Sequence, residues 1–444
     1  MTNQFSAQIC GTFFAAVLFF NEPMAAQSPT PTPTLTTIHS FAGSPTDGAN
    51  PWAGVVMGSG PAGHPALYGA TAVGGLSENG TLFLLAPPAS PNGPWTETVL
   101  YNFAGSPDDG AQPLGGVVIG NEGVLYGTTD EGGNDYACTG SVPGCGTVFS
   151  LTPPTSPGGP WIENVIYNFA GSNIAPSSDG ASPNAGLAID SDGVLYGTTF
   201  FGGTSNLGTV FSLTPPLAPG GVWTETVLHS FTAYPDGAYP WAGVLIGTGG
   251  VLYGTTEQDG DLGGGTVFSL TPPAAPGDSW TETTLYAFGA VANVGGPWAG
   301  VAIGSGGVLY GEAGNAVFSL APPSLPGGSW VETLLYDFPG SLLNPLAFAG
   351  GVTIGAGPRG GTVLYGTSTL GGGGVGCYDD CGTVFALASP AAAGDPWSMR
   401  VLHAFNGNDG ATPLAGVLIV GDVLYGTTAA GGLSGDGTAF VLKP

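Results

Sequence analysis

One motif recurs along the whole chain and restricts the fold more than any other feature. The element Leu-Tyr-Gly occurs seven times, with its tyrosine at Tyr68, Tyr126, Tyr196, Tyr253, Tyr310, Tyr365 and Tyr425. A Gly-Thr-x-Phe element follows each copy and is altered to Asn-Ala-Val-Phe in the fifth, with its phenylalanine at Phe83, Phe149, Phe211, Phe268, Phe318, Phe385 and Phe440. An aromatic-x-Phe element accompanies each unit, at Phe41, Phe103, Phe169, Phe231, Phe288, Phe338 and Phe405. These last residues are 50 to 67 positions apart, which indicates a tandem repeat rather than two or three ordinary domains.

Each unit predicts four short strands, A to D. In the fourth unit they are residues 242–247, 251–256, 265–272 and 280–288, separated by Asp/Asn/Gly turns and a Pro/Gly segment. Four strands repeated seven times predict an all-β protein, a seven-bladed β-propeller with four antiparallel strands per blade. The expected blades are 42–103, 104–169, 170–231, 232–288, 289–338, 339–405, and 406–444 together with 35–41.

The two ends of the repeat region are complementary. Residues 35–41 have the pattern of a D strand alone, whereas the last unit has A (414–420), B (423–428) and C (437–443) but no D. We therefore expect residues 36–41 to pair with residues 438–443, which would complete the last blade. Such closure leaves the ring without a free sheet edge.

The string LYGTT…GG…GTVF, preceded by DGAxPxAG, resembles the GloVer tandem-repeat family of exported bacterial proteins over residues 35–444. That resemblance implies repeats of unknown function, often followed by a C-terminal anchor, and no anchor pattern follows the last unit here. The unit is also similar to kelch repeats in its Tyr, Gly-Gly and later Trp, which implies that strand A is innermost.

The N-terminal segment and the charge suggest an exported protein. Residues 9–20 are an apolar run followed by Ala25 and Ala26, which predicts a signal peptide over 1–26 and a Pro/Thr linker over 27–34, although residues 1–8 contain no Lys or Arg. The 30 acidic and three basic residues give a net charge of −27, which argues against nucleic acid and anionic membranes as partners. We expect a secreted or cell-surface monomer with no membrane span.

Four cysteines remain beyond the signal segment, in two close pairs. Cys138 with Cys145, and Cys377 with Cys381, lie in Gly-rich loops between strands B and C. Two local disulfides fit an exported protein. The alternative is a zinc site, which usually has tighter Cys spacing and nearby His.

The loops of one face hold the candidate ligand residues. In a propeller the D–A and B–C loops share a face, and here they hold 17 of the 30 acidic residues with no Lys or Arg. The Asp-Gly-Ala-x-Pro motif supplies five of these, Asp47, Asp109, Asp179, Asp236 and Asp409. They form either an arc of carboxylates suited to a hard cation such as calcium or the opening residues of tight turns.

Aromatic residues share that face. Trp52, Trp241 and Trp298 precede strand A, where they either stack on a sugar or wedge between blades. Two sets on the outer strand look structural, namely the solvated Trp-x-Glu glutamates (Glu97, Glu163, Glu225, Glu282, Glu332) and the histidines at the Tyr position (His39, His229, His403).

No triad, zinc or P-loop motif is present in the sequence. We therefore expect an exported non-enzymatic binding or scaffold propeller that recognises a glycan or an extracellular protein through the acidic face. No cofactor is expected, apart from calcium if the aspartates bind it. The alternative is a secreted carbohydrate-active enzyme, a glycoside hydrolase or lyase, with its acids in the B–C loops of blades 2, 4 and 6.

Overall fold

The repeat unit folds into a four-stranded antiparallel sheet seven times, in the computed structural model. The A strands are Val56–Ser59, Val118–Ile119, Ala188–Ile189, Leu245–Ile246, Ala302–Ile303, Thr353–Ala356 and Leu418–Val420. The B strands are Pro65–Thr71, Leu125–Thr129, Leu195–Thr199, Leu252–Thr256, Leu309–Ala313, Thr362–Ser368 and Val423–Thr428. The C strands are Thr81–Ala86, Thr147–Thr152, Thr209–Thr214, Gly263–Thr271, Ala316–Ala321, Thr383–Ala388 and Thr438–Lys443. The D strands are Thr96–Asn102, Ile162–Asn168, Thr224–Ser230, Thr281–Gly289, Val331–Asp337, Ser398–Ala404 and Thr34–Ser40.

The structure describes residues 32–60, 63–90, 93–133, 138, 144–156, 158–171, 179–218, 220–275, 277–289, 296–325, 327–338, 350–357, 360–372, 381–392 and 394–444. The expected signal peptide and most of the linker lie outside these residues. Pro33–Pro444 form one compact unit. Its described non-strand elements include single-turn 3-10 helices between strands A and B, at Asn121–Gly123, Thr248–Gly250 and Ser305–Gly307.

The seven-bladed propeller and its closure are confirmed. Thr34–Ser40 pairs antiparallel with Thr438–Lys443, and the resulting sheet continues to strands B and A of the last blade. The pairing extends to Phe41, whose N–H donates to the Gly437 carbonyl at 3.0 Å. The chain therefore seals the ring with its own first strand, because that strand is the only D-type segment without a sheet of its own.

A ring of phenylalanine pairs holds neighbouring blades together. The Phe ending each D strand packs edge-on against the Gly-Thr-x-Phe ring of the next blade, as Phe103 does on Phe149 at 5.2 Å between centroids. All seven interfaces have this pair, with centroids 5.0 to 5.4 Å apart. Edge-to-face pairs add roughly 0.5–1.5 kcal/mol beyond simple burial. The repeated phenylalanines therefore supply the largest fully buried side chains of the core, and they recur because every interface needs one pair.

Strand A is shorter than the sequence predicts. In the fourth blade we expect 242–247, but the pairing covers only Leu245–Ile246. The preceding Trp-Ala-Gly segment has left the sheet because it lines the centre of the ring. The innermost position of strand A, which the kelch similarity implies, agrees with this lining.

Candidate functional site

The D–A and B–C loops meet on one face of the propeller, as expected. Gly48–Ala49 of a D–A loop pairs with Val73–Gly74 of a B–C loop, and the equivalent segments pair in blades 2 and 3. Single bridges repeat the contact in blade 4, Ala238 with Gln258, and in blade 7, Ala411 with Ala430. In blades 1 to 4 and 7, the acidic face is thus a surface of paired loops around the propeller axis.

The five Asp-Gly-Ala aspartates are held inside their own turns. Asp109 is typical, since its carboxylate accepts hydrogen bonds from the N–H groups of Ala104 and Gly110 at 2.7 and 2.6 Å and from the Tyr101 hydroxyl at 2.9 Å. Asp47, Asp109 and Asp236 are only 8%, 5% and 8% exposed. None of the five lines the central cavity, and no three Asp, Glu, His or Cys side chains among the described residues cluster as metal ligands. The carboxylates therefore act as turn caps in the five repeats that have them.

The histidines take the place of the tyrosine that caps this aspartate. His39, His229 and His403 lie 3.1, 2.8 and 3.0 Å through Nε2 from Asp47, Asp236 and Asp409. Burial works to raise the pKa of Asp236, but the hydrogen bonds from His229 and Thr232 outweigh it and the pKa is lowered. Tyr and His are interchangeable here because either ring presents a donor to the same carboxylate oxygen.

For three of the five outer-strand glutamates, the expectation of a solvated side chain was wrong. Glu97, Glu163 and Glu225 are half-buried at blade interfaces, and one oxygen of each is buried without a hydrogen-bond partner. Burial and then a nearby aspartate of the Asp-Gly-Ala turn raise the pKa of each to about 7. The Trp-x-Glu spacing does not reveal this, because the burying surface comes from the neighbouring blade.

A cavity of about 290 Å³ lies at the centre of the ring. Its lining is the segment before strand A in each blade, which we call the cavity ring: residues 52–54, 114–116, 184–186, 241–243, 298–300, 350 and 414–416. The second and third residues of each segment are Ala or Gly, so the backbones approach closely. The first residue varies from blade to blade, being Trp52, Leu114, Asn184, Trp241, Trp298 and Leu414 in the described blades. The repeat therefore supplies a constant frame in which one position per blade sets the chemistry.

Aromatic side chains are concentrated on one side of this cavity. Trp241 and Trp298, in blades 4 and 5, contact each other with centroids 5.1 Å apart. Phe200, which begins the B–C loop of blade 3, packs edge-on against Trp241 with centroids 5.2 Å apart, and its ring is tilted by 30° to that of Tyr239 at 5.1 Å. Trp52 belongs to blade 1, three blades away around the ring. The structure thus brings the three predicted tryptophans to one cavity, with two in contact and the third in a distant blade.

Two residues of the cavity ring each have a polar atom without a partner. The Trp298 indole N–H and the Asn184 side-chain carbonyl are both buried without a hydrogen bond. A buried polar group that lacks its partner costs about 1–3 kcal/mol. One is a donor and the other an acceptor, and both belong to residues of the cavity ring.

Acidic residues form the rim outside the cavity ring. Asp130 and Glu257 occupy the same position as Phe200 in blades 2 and 4, directly after strand B. Burial raises the pKa of both, and the pKa of Glu131 is raised by burial and then by Asp130. The first loop residue after strand B in blades 2, 3 and 4 donates its backbone N–H to the carbonyl of the x residue in an Asp-Gly-Ala-x-Pro motif. The Asp130 N–H, for example, donates to the Gln112 carbonyl at 3.0 Å.

The sequence alone did not single out the x residue of the Asp-Gly-Ala-x-Pro motif as part of the site. It has a left-handed backbone with φ between 54° and 59° in five blades, at Asn50, Gln112, Ser182, Tyr239 and Thr412. Non-glycine residues adopt this conformation rarely, and clustered cases often mark functional surfaces. The available signal was variation at one position inside an otherwise constant motif.

One predicted disulfide is present. Cys138 and Cys145 are bonded, with their Cα atoms 5.2 Å apart. The buried Cys145 carbonyl accepts a hydrogen bond from Ser182 of the next blade, at 2.9 Å. Cys381 is also in a disulfide, but its expected partner Cys377 lies outside the described residues.

Glu312 is one of the 17 acidic residues that the sequence assigns to the D–A and B–C loops, but it lies within strand B of blade 5 and is 1% exposed. Its Oε2 accepts a hydrogen bond from the Gly351 N–H at 3.1 Å, while Oε1 has no partner. Burial raises the pKa of Glu312 to about 8. Threonine occupies this position in blades 2, 3, 4, 6 and 7, so the substitution is specific to blade 5.

A family model described as the Gloeobacter/Verrucomicrobia repeat matches residues 24–175 and 135–374. The chain belongs to the Gloeobacter/Verrucomicrobia repeat family. This match confirms the family resemblance. The first residue of each cavity-ring segment is therefore a variable position within the Gloeobacter/Verrucomicrobia repeat. A search of curated proteins found no match.

Three solved structures resemble this Gloeobacter/Verrucomicrobia repeat protein in fold. A protein described as a 6-phosphogluconolactonase from Bacteroides uniformis is 15% identical, covers 81% of this chain and 88% of its own, and has a TM-score of 0.43. A protein described as an oxidoreductase (glucose dehydrogenase) from Thermus thermophilus is 17% identical, with coverages of 92% and 99% and a TM-score of 0.36. The polysaccharide lyase Uly1 is 12% identical, with coverages of 91% and 92% and a TM-score of 0.45. Similarity at this level bears on neither substrate nor reaction.

Proposed function

We propose that this protein is an exported, non-enzymatic binding module whose ligand docks in the central cavity of the acidic face. The observation that carries the proposal is the cavity itself. It combines three tryptophans with an unpaired donor and an unpaired acceptor, on the loop-bearing face of a rigid ring. Ligand sites are typically concave and provided with a few polar groups beside apolar side chains, and the cavity has both.

The cavity lining favours binding over catalysis. Its described residues are Trp, Leu, Ala, Gly and Asn, with no carboxylate, histidine, hydroxyl or amine among them. Glycoside hydrolysis needs two carboxyl groups on either side of the scissile bond. In the described part of the cavity no such pair is available, so the hydrolase alternative gains no support from it.

Export is supported by the disulfide between Cys138 and Cys145, since such bonds persist in oxidising compartments. The expected signal peptide over residues 1–26 agrees with that. In the part of the chain that the structure describes, no helix has both the length and the apolar character needed to span a bilayer.

Intrinsic tryptophan fluorescence tests the proposal. The purified chain is titrated with neutral disaccharides, oligogalacturonate, choline and a lysine-rich peptide, alongside the double variant W241A/W298A. We expect one probe class to shift the emission of the native chain, with that binding lost in the double variant.

Trp330→Phe is the matched control, because Trp330 packs on Tyr253 at a blade interface and does not line the cavity. It should bind as the native chain does. Failure of every probe, or equal binding by W241A/W298A, would refute the proposal.

A further inference from the structure

We infer that the central cavity selects an uncharged sugar residue and rejects uronic acids and quaternary ammonium groups. The inference rests on the proposed binding function and names its ligand class. Three features of the cavity carry it: the placement of its tryptophans, the two unpaired polar atoms, and the sign of the surrounding charge.

The tryptophans provide apolar surface in separated parts of the ring. Trp241 and Trp298 form a contacting pair in adjacent blades, while Trp52 lies three blades away. Sugar rings present C–H faces that pack on aromatic rings. A cavity of about 290 Å³ lies at the lower end of the volumes of small-molecule sites, roughly 300–1,000 Å³. The volume therefore fits a terminal sugar residue rather than the middle of a polymer.

The unpaired atoms require a ligand that both accepts and donates hydrogen bonds. The Trp298 indole can only donate, and the Asn184 side-chain carbonyl can only accept. A hydroxyl group can serve either atom, and a sugar carries several. A quaternary ammonium group has no N–H or O–H and no acceptor, so it satisfies neither. Both atoms are covered in the free protein, so the inference requires the Trp298 and Asn184 side chains to rotate towards the ligand, and rotation of Trp298 would change its emission.

The charge around the cavity discriminates against anions. Asp130, Glu131 and Glu257 lie in the B–C loops at the rim, and the only three basic residues of the chain are Arg359, Arg400 and Lys443. No arginine or lysine lines the described cavity to pair with a carboxylate or sulfate on a ligand. Burial raises the pKa of all three rim acids, which indicates a poorly solvated rim where like charges repel more strongly. A uronate is therefore excluded electrostatically while a neutral sugar is not.

Calorimetric and fluorescence titrations at pH 8 test the inference. The neutral probes are cellobiose, mannobiose and N,N′-diacetylchitobiose, and the charged probes are digalacturonate and choline. We expect at least one neutral disaccharide to bind at least tenfold more tightly than either charged probe. The difference in affinity between digalacturonate and the neutral disaccharides should become smaller as added salt screens the charges of the rim acids.

Two conservative variants test the polar contacts. Trp298→Phe keeps the aromatic ring but removes the N–H, and Asn184→Leu keeps the side-chain size but removes the carbonyl. Each should weaken neutral-sugar binding about tenfold, which corresponds to about 1.4 kcal/mol. Trp330→Phe, at a blade interface outside the cavity ring, should leave binding within about twofold.

The outcomes separate the two proposals. Tight binding of digalacturonate or choline that W241A/W298A abolishes would overturn the sugar inference but keep the binding function. Sugar binding that W298F and N184L leave unchanged would overturn the polar contacts and the inference with them. No binding of any probe would refute both proposals.

Discussion

Blades 4 and 5 are neighbours built from the same unit, but they use different polar contacts. In blade 4, Thr255 donates to the Ala299 carbonyl of the next blade at 3.0 Å, and the hydroxyls of Thr256 and Thr266 lie 2.9 Å apart. In blade 5, Glu312 replaces the first threonine, while Ala313 and Ala316 replace the hydroxyl pair. The phenylalanine pair is present at both interfaces.

The difference shows which parts of the repeat can vary. Blade 5 reverses the direction of the inter-blade hydrogen bond, because Glu312 accepts from Gly351 where Thr255 donates. The blade still forms four strands with the same register. The apolar layer therefore maintains the ring, and the polar contacts are tuned blade by blade.

The largest expected effect tests that common layer. Phe268→Ala in blade 4 and Phe318→Ala in blade 5 remove rings that are at most 1% exposed. Each should lower the free energy of unfolding by about 3–5 kcal/mol, as Phe truncation in a core does. Urea denaturation measures this. Losses that differ by more than about 2 kcal/mol would show that the two blades do not share one core.

The next effect concerns the buried carboxyl of blade 5. Because the pKa of Glu312 is raised to about 8, its protonated form stabilises the fold below about pH 4.5, and that stabilisation is lost as the pH rises towards 8. Glu312→Gln keeps the acceptor for Gly351 but cannot ionise. We expect its melting temperature to fall less than that of the native chain between pH 5 and pH 9.

Glu122→Gln is the control for this change, since it removes an equal charge from an exposed turn. It should follow the native pH profile. A native melting temperature that is flat across this range, or an identical slope in E312Q, would contradict a protonated Glu312.

A smaller effect should follow from making blade 4 resemble blade 5. Thr256→Ala leaves the Thr266 N–H without its acceptor at 3.0 Å and leaves the Thr266 hydroxyl only its longer bond to the Asp236 carbonyl at 3.4 Å, which should cost about 1–3 kcal/mol. Thr266→Ala breaks the same hydroxyl pair, so the double variant should lose less than the sum of the single variants. A double-mutant cycle by urea denaturation checks this, and strict additivity would contradict the pairing.

The smallest expected effect is a difference between Glu163 and Glu332 in how each contributes to the pH dependence of the melting temperature. The pKa of Glu163 is raised to about 7 by burial and then by Asp109, whereas burial alone raises the pKa of Glu332 in blade 5. Glu163→Gln should therefore reduce the loss of melting temperature between pH 5 and pH 8 more than Glu332→Gln does. Equal changes would mean that Asp109 does not influence its neighbour.

The sequence predicts the architecture well because the architecture is local and repeated. The equivalents of Tyr253 and Phe268 recur at fixed places in every unit, so the strands, the number of blades and the closing strand, predicted over 35–41 and observed over 34–40, follow from spacing alone. The disulfide between Cys138 and Cys145 is predictable for the same reason, as its partners are seven residues apart.

The candidate site is only partly predictable. The sequence marks Trp52, Trp241 and Trp298 as a set, but not the contact between two of them or the unpaired indole of Trp298. It misplaces Glu312 and treats Glu163 as solvated, because the atoms that bury both come from the adjacent blade. The Asp109 carboxylate likewise draws attention as a ligand group until its three hydrogen bonds within the turn are seen.

The sequence by itself thus determined the propeller, the number of its blades and its closure, since each follows from contacts within a unit or between its repeated copies. Only the tertiary structure decided which variable residues meet. Trp298 and Asn184 belong to different units, and closing the ring brings them to one cavity. Burial between blades, rather than the identity of any residue, sets the protonation of Glu312.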